Sequence, residues 1–489
     1  MSLAQRSVRS STYTLIGSGI ATFVQLVRSI LLARLLAPEV FGIYSFVSSF
    51  VIITSAIPNF GMSSALLNRV PESEGEEPLS VHFTLTLGFN IAWALIIAMI
   101  GGLVLPQANH WILWVILLTQ FVDNLVITSR TLLIRRVLFR RIAIIDTTSI
   151  LLSTMIALFL AWKGYGILGL VSTDVIAATV AVLGFLVILP PWKPRLSWSP
   201  TIARYLIGFG YRTFLGSVVG QALDYIDNLW TGQYLGANAL GYYSRAYTFS
   251  SYPRKVLAYP LNAVATGTYA ELKSNERQLS QAFFRVNALL VRTGFLMAGL
   301  LALIAPEFIN LVIGKQWLPM LVAFRLMLLY TLLDPIRSTI AGLFISIGRP
   351  EKVFWARLIQ LGVLIIGMYI FGNLWGISGV AIAVNLMILT GITIMLWQAR
   401  AYVQFSLKKL FISPTVSLIM GLGLARLAIE FPGILGSYWR TAGVKIIVFT
   451  IVYGGILFLL ERKHLPILKG ILKQLLPQTH SMSNNDSQA

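Results

Sequence analysis

Fourteen stretches of this chain are apolar and long enough to cross the ~30 Å hydrocarbon core of a bilayer. They fall at about 11–33, 41–66, 83–105, 111–134, 142–162, 166–189, 206–234, 240–268, 283–305, 319–346, 358–375, 377–398, 410–430 and 441–460. Lipid offers no hydrogen bonds to a backbone, so segments of this length must satisfy their own N–H and C=O groups as helices. The chain is 56% hydrophobic and 11% charged over 489 residues, where a soluble domain carries about 25% charged residues. The fold class predicted is therefore an all-α polytopic membrane protein with about 14 transmembrane helices. The first window is too long for a signal-peptide core and lacks a small-residue cleavage site after it, so it reads as a retained span.

Charge placement orients the bundle. Basic clusters such as Arg135, Arg136, Arg140 and Arg141, or Arg462, Lys463, Lys469 and Lys473, fall in one set of loops, on the side of both termini. The opposite loops hold only Arg34, Lys163, Lys315 and Arg440. The positive-inside rule then puts both termini in the cytoplasm, and the acidic run Glu72, Glu74, Glu76 and Glu77 weighs little against it. The net charge of +20 is explained by the same bias, so no nucleic-acid partner is expected. With no cysteine in the chain, disulfides, thiolate metal sites and cysteine catalysis are excluded.

A repeat runs through the windows. Thr14, Ser18, Ala21, Gln25 and Arg28 share one helix face, and 199 residues on Thr213, Ser217, Gly220, Asp224 and Asp227 do the same. The exits match as well, LLAPEVFGIYS (35–45) against YLGANALGYYS (234–244), with Gly42/Gly241, Tyr44/Tyr243 and Ser45/Ser244 identical. The offset spans six helices, an even number, so the repeats have parallel orientation about an axis along the membrane normal. The expected division is an N-terminal lobe of helices 1–6 (1–189), a C-terminal lobe of helices 7–12 (190–400), and helices 13–14 (401–460). A cytoplasmic amphipathic helix and a disordered tail follow (461–489), the helix at 461–476 with leucines on one side.

Arginine and aspartate inside a bilayer are costly and must pair, snorkel or line water. Arg28, Asp123, Asp224, Asp227, Arg254, Arg292, Asp334 and Arg337 lie deepest in the spans. Arg130, Asp146, Arg212, Arg245, Arg325 and Lys445 lie nearer helix ends, where snorkelling competes. Arg28 and Asp227 are repeat-equivalent, so a two-fold axis puts them at one depth on opposite walls. They are expected either to meet when the outer end closes or to pair within their own lobes, Asp227 with Arg245 for example. Pro58, Pro253, Pro260 and Pro335 break or bend helices 2, 8 and 10, as hinges or as static kinks.

Catalytic signatures are missing. There is no GxxxxGK[ST], and Gly17-Ser-Gly19 lies within a span and lacks a third glycine. His82, His110, His464 and His480 are expected in loops or the tail, too far apart for zinc. The DxxD of Asp224 and Asp227 has no histidine nearby, which favours a pocket wall or ion site over catalysis.

Four segments carry a resemblance. LDYIDNLWTGQYLGANALGYYSRAY (223–247), RSILLARLLAPEVFGIYS (28–45), RTLLIRRVLFRRIAIID (130–146) and ISIGRPEKVFWAR (345–357) resemble, in order, the helix 7–8, 1–2, 4–5 and 10–11 motifs of bacterial polysaccharide transporters. These form the oligosaccharide flippase branch of the multidrug/oligosaccharidyl-lipid/polysaccharide exporter superfamily. The resemblance implies two lobes around a cationic cavity, alternating access and a polyprenyl-pyrophosphate-linked oligosaccharide as substrate. It carries that glycolipid to the outer leaflet of the bacterial inner membrane for O-antigen, capsule or exopolysaccharide. It also implies a lipid-tail groove at helices 13–14, with no cofactor and no metal.

A pyrophosphate needs arginine forks. Arg28, Arg254 and Arg292 are the expected pyrophosphate ligands. Gln25, Asp123, Gln221, Asp224, Asp227, Asn228, Asp334 and Arg337 are expected as polar cavity, gating or ion-coupling residues, with H+ or Na+ as the ion. Tyr211, Tyr225, Trp230 and Tyr243 could face sugar. Membrane lipids and a glycan polymerase are the other expected partners. A peptidoglycan-precursor flippase, a drug or cation antiporter, and a membrane glycan polymerase or glycosyltransferase remain as alternatives.

Overall fold

The computed structural model describes residues 3–69, 75–188, 190–430 and 438–462, and of residues 3–16, Leu257 and Ile429 the backbone alone. From residue 463 onward the expected amphipathic helix and tail lie outside the described residues.

All fourteen expected spans are helical, with no strand among the described residues. Helix 1 is Leu3–Leu35; helix 2 is Pro38–Ile52, resumed at Met62–Asn68; helix 3 is Glu77–Val104. Helix 4 is His110–Leu125 with Ile127–Arg135, helix 5 Phe139–Trp162, and helix 6 Ile167–Val182 with a π-turn at Leu183–Ile188. Helix 7 (200–235) and helix 8 (237–253) join at Gly236, whose φ of +86° belongs to the left-handed region that suits glycine. Helix 8 continues through a π-turn, Arg254–Ala258, into Tyr259–Leu272. Helix 9 is Glu276–Phe308 with Ile309–Ile313, helix 10 Leu321–Ser346, and helix 11 Pro350–Gly367 with Met368–Gly372. Helix 12 is the part of Asn373–Ala399 beyond a break at Trp375–Gly376; helix 13 is Leu407–Leu427 and helix 14 Tyr438–Glu461.

By length and composition alone, 10 helices among the described residues are apolar enough to cross a membrane, one of them Pro350–Ala399, which holds helices 11 and 12. Helix 2 falls short because it is cut in two, and helices 7 and 8 because charges interrupt them. The cut spans residues 53–61 and contains Pro58, with Phe60 and Gly61 at φ of +44° and +69°. The widened turn of helix 8 sits between Pro253 and Pro260, where one ring removes an N–H from the ladder and crowds the turn before it. Pro335 leaves helix 10 unbroken.

The two lobes pack alike. Helix 1 lies on 5, 5 on 6, 3 on 4 and 4 on 6; in the second lobe 7 lies on 11, 11 on 12, 9 on 10 and 10 on 12. The repeat extends beyond the two helix pairs at its start, with the offset lengthened from 199 to 210 or 211 residues. Asp123 of helix 4 corresponds to Asp334 of helix 10. Val137 and Gly348, both left-handed (φ +57° and +77°), follow the ends of those helices. Gly166 and Gly376 (φ +54° and +56°) open helices 6 and 12, and Gly169 and Gly379 let each of these pack on the backbone of the helix before it.

Helix 14 is fastened to helix 9 by two ion pairs, and helix 13 packs against both. Lys445 pairs with Glu307 at 2.6 Å, and Arg292 forks onto Glu461 at 2.6 and 2.7 Å. Between these pairs Gly299 admits the Phe449 ring. Lys445 is thus buried and paired rather than snorkelling. His82 corrects another expectation. It lies in helix 3, fully buried, with Nδ1 2.9 Å from Thr128 Oγ1, because helix 3 starts at Glu77 rather than beyond residue 82.

Candidate functional site

The end of the bundle away from the termini is closed by the repeat itself. Helices 2 and 8 cross in their first turns, with Gly42 against Ala237 and Gly241 against Pro38. Ala237 and Pro38 are themselves repeat-equivalent, so the contact is the same surface used twice, as at a two-fold dimer interface. A Cβ on Gly42 would lie 1.7 Å from Ala237 O, and one on Gly241 1.9 Å from Pro38 O. The lobes also cap each other's helix ends. Gln316 Nε2 and Trp317 Nε1 donate to Ala33 O at the end of helix 1, each at 2.8 Å. Arg34 donates back to Val312 O and Leu311 O at the end of helix 9, at 2.7 and 2.5 Å. These carbonyls have no partner within their own helices, so each lobe completes the other.

Directly beneath that seal lies a cavity of 420 Å³, walled by the C-terminal lobe and touched from the N-terminal lobe by Ser45. Ser45 and Ser244, one turn inside Gly42 and Gly241 and likewise equivalent, form its roof. Arg245, Arg254, Lys255 and Arg337 line it against two carboxylates, Asp224 and Asp334. Asp334 is bound twice, by Arg337 at 2.6 and 3.0 Å and by Arg254 at 3.2 Å. Arg254 also donates to Tyr247 Oη at 2.7 Å and stands 4.7 Å from the Tyr330 ring centre. Arg245 rests on Phe41 of the other lobe, 4.5 Å from its ring centre. Asp224 makes no side-chain hydrogen bond among the described residues and also faces a smaller hollow of 80 Å³ shared with Arg357 and Gln360. The lining thus carries more cation than its own carboxylates neutralise, in a setting where an uncompensated charge is costly.

Of the expected pyrophosphate ligands, only Arg254 lines this cavity. Arg292 does not: Glu461 holds it at the junction of helices 9 and 14. Arg28 sits on the N-terminal-lobe side, half-buried, with an η nitrogen 3.4 Å from Ser153 Oγ, and its charge reaches Arg245 and Asp174. The expected meeting of Arg28 and Asp227 does not occur although this end is closed. Asp227 is buried and accepts from Tyr243 Oη at 2.5 Å. Pairing stays within each lobe, but through Tyr243 and Ser153, not Arg245. The equivalent Tyr44 donates instead to Asp174 of helix 6, at 2.9 Å.

Asp224, Asn228, Asp334 and Arg337 line the cavity. Asn228 also ties the lobes, donating to Ser49 Oγ at 3.1 Å, and Gln221 does so at the break of helix 2, donating to Ser55 Oγ at 3.1 Å. Gln25 and Asp123 are half-buried in the N-terminal lobe and outside this lining. Of the aromatics, Tyr225 lines the cavity, whereas Trp230 stacks on Tyr234 and Tyr243 serves Asp227. Arg245 was expected near a helix end or beside Asp227 rather than in a cavity, and Tyr247, Tyr259 and Tyr330 were not singled out in the sequence. The i, i+7 spacing of Tyr247 and Arg254 along helix 8 was the available signal.

Two six-helix lobes related by a two-fold axis, closed on each other at one end above a charged chamber, define a membrane transporter. Residues 31–322 match the family described as Polysaccharide biosynthesis protein, and the chain belongs to that family, as the four motifs implied. It is 27% identical over 456 residues to the succinoglycan biosynthesis transport protein ExoT of Rhizobium meliloti, covering 88% of each chain. It is 21% identical over 391 residues to the lipopolysaccharide biosynthesis protein WzxC of Escherichia coli, covering 78% of each. The fold matches the solved structure of the lipid II flippase MurJ in an inward closed conformation, with a TM-score of 0.77 at 17% identity over 93% of this chain and 99% of that one.

Proposed function

We propose that this protein moves a polyprenyl-pyrophosphate-linked oligosaccharide from the cytoplasmic to the outer leaflet of the bacterial inner membrane, without catalysing a reaction. The observation that carries the reading is the chamber's charge: four cations against two carboxylates, in the membrane interior, beneath a closed end. A pyrophosphate is a compact polyanion that guanidinium forks bind in pairs. Arg254 and Arg245 are its proposed ligands, with Lys255 and Arg337 beside them and Arg28 on the facing lobe. Tyr225, Tyr247 and Tyr259 offer rings and hydroxyls to the sugars.

With the basic loops in the cytoplasm, the sealed end faces outward and the chamber serves the inner leaflet. The lobes 1–189 and 190–400 then rock about the crossing of helices 2 and 8. Asp224, the cavity carboxylate free of hydrogen bonds among the described residues, is the proposed seat of a coupling H+ or Na+. A glycan polymerase on the outer face is the proposed next protein in the sequence. A peptidoglycan precursor has the same pyrophosphate, so the chamber's chemistry suits both cargoes; the names of ExoT and WzxC favour exported polysaccharide. The cation excess disfavours a cationic drug.

Binding of a polyprenyl pyrophosphate to the purified protein tests the site. It should exceed binding of the neutral polyprenol, and Arg254→Ala should weaken it about 10- to 100-fold, the worth of a hydrogen bond between charged groups. Equal affinity for the neutral lipid would remove the anionic head group from the account.

A further inference from the structure

Five basic side chains within the spans are matched with acids: Arg130 with Asp146, Arg254 and Arg337 with Asp334, Arg292 with Glu461, Lys445 with Glu307. Arg285 is not one of them. It lies in the third turn of helix 9, two turns before Arg292, and is half-buried. Among the described residues it makes no hydrogen bond or ion pair. It stands where two hollows meet. One, of 430 Å³, runs between helices 8 and 9 and is apolar along Leu261, Val264, Val286 and Leu289. The other, of 690 Å³, lies at the end of the bundle that carries the termini, with Arg277 and Gln404 on its wall. Gln281 and Arg285 belong to both. The carboxylate at this mouth, Glu276, accepts a hydrogen bond from Gln404 at 3.4 Å.

The trench therefore changes along the membrane normal, from an apolar floor to a mouth with two arginines that have no acid partner among the described residues. That is the complement of a lipid with a phosphate head, and basic pockets between spans on the cytoplasmic side hold anionic head groups. Its wall is shared with the transport chamber: Arg254, Lys255 and Tyr259 of helix 8 face the chamber, while Leu261 and Val264 face the trench. We propose that the trench between helices 8 and 9 binds one anionic phospholipid of the inner leaflet, its phosphate on Arg285 and Arg277 and an acyl chain along Leu261, Val264 and Leu289. The lipid braces the half of helix 8 below its proline-flanked π-turn against helix 9. The leaflet assignment rests on the orientation proposed above; the binding does not.

The test is native mass spectrometry of the full-length protein in neutral detergent with phosphatidylglycerol or phosphatidylcholine added. One phosphatidylglycerol should be retained over phosphatidylcholine. Arg285→Gln should lower that retention about five-fold, the worth of one basic residue at an anionic surface, and Arg277→Gln/Arg285→Gln further. Arg349→Gln, an exposed arginine bridged to Glu351 elsewhere on the same face, should leave it unchanged. Among the described residues Arg285 has no hydrogen-bond or ion-pair partner to lose, so its variants should keep the parent's unfolding temperature. Equal retention of the two lipids, or full retention by Arg277→Gln/Arg285→Gln, overturns the proposal. Displacement of phosphatidylglycerol by stoichiometric polyprenyl pyrophosphate would also overturn it, by assigning the trench to the substrate lipid.

Discussion

Arg254 and Arg292 are both largely buried and paired with an acid, and what divides them is place, since only Arg254 lines the chamber. Arg292 and Glu461 are 12% and 6% exposed at their side chains and joined by two short hydrogen bonds, so removing either leaves a buried charge alone. Glu461→Gln or Arg292→Met should lower unfolding stability by about 3–5 kcal/mol, whereas Arg292→Met/Glu461→Leu together should fall near the parent. Thermal unfolding of the purified variants checks this; a double variant as damaged as the singles would mean that the pair does more than fix helix 14 on helix 9. Asp334 is the counterpart inside the chamber. Asp334→Asn leaves Arg254 and Arg337 facing each other without their shared acid and should unfold the lobe at lower temperature as well as abolish transport. Depth in the sequence identified these arginines and Asp334 but could not sort them, because the deciding partner lies on another helix, 80 residues away for Arg254 and 169 for Arg292. Asp334 reads alike in either role, while Arg292 finds its acid 169 residues away.

At the scale of helices, the seal opposite the termini is where the sequence was most legible. Gly42 and Gly241 stood out as a repeat-equivalent pair, and the structure gives the reason: neither position has room for a Cβ. Gly42→Val or Gly241→Val should pry the seal open. The native chain has no cysteine, so Ser45→Cys in the chamber roof can report this without background. Its labelling by a membrane-impermeant maleimide from the outer side should rise in either glycine variant. Arg34→Ala/Gln316→Ala, which removes reciprocal caps worth about 1 kcal/mol each, should raise it several-fold. Unchanged labelling in both would mean that the seal lies elsewhere. The remaining half of the repeat was not legible because its offset lengthens from 199 to 210 or 211 residues, about three helical turns, and because helices 4–6 and 10–12 share few identities beyond Asp123/Asp334 and the glycines that open helices 6 and 12. Helix 2 was read as one span since composition does not show the left-handed Phe60 and Gly61 after Pro58.

For the molecule as a whole, apolar length alone foretold fourteen spans, and parallel repeats foretold two lobes, since both follow from what lipid permits a backbone to do. The chamber's contents were only half legible. Repeat symmetry suggested that Arg28 and Asp227 would meet across the axis, but a tyrosine from each lobe's own second helix position intervenes: Tyr243 takes Asp227, while Tyr44 takes Asp174. The symmetry of the backbone is therefore kept while the charges are not, and the cations collect on the C-terminal lobe around helix 8. The central claim is that these cations carry a lipid-linked polyanion across the membrane. The most direct test is the leaflet distribution of polyprenyl-pyrophosphate oligosaccharide in cells with the gene, without it, and with Arg254→Ala at matched protein level. The glycolipid should accumulate on the cytoplasmic leaflet when the gene is lost and largely so in the variant; an unchanged distribution in the deletion strain would contradict the account.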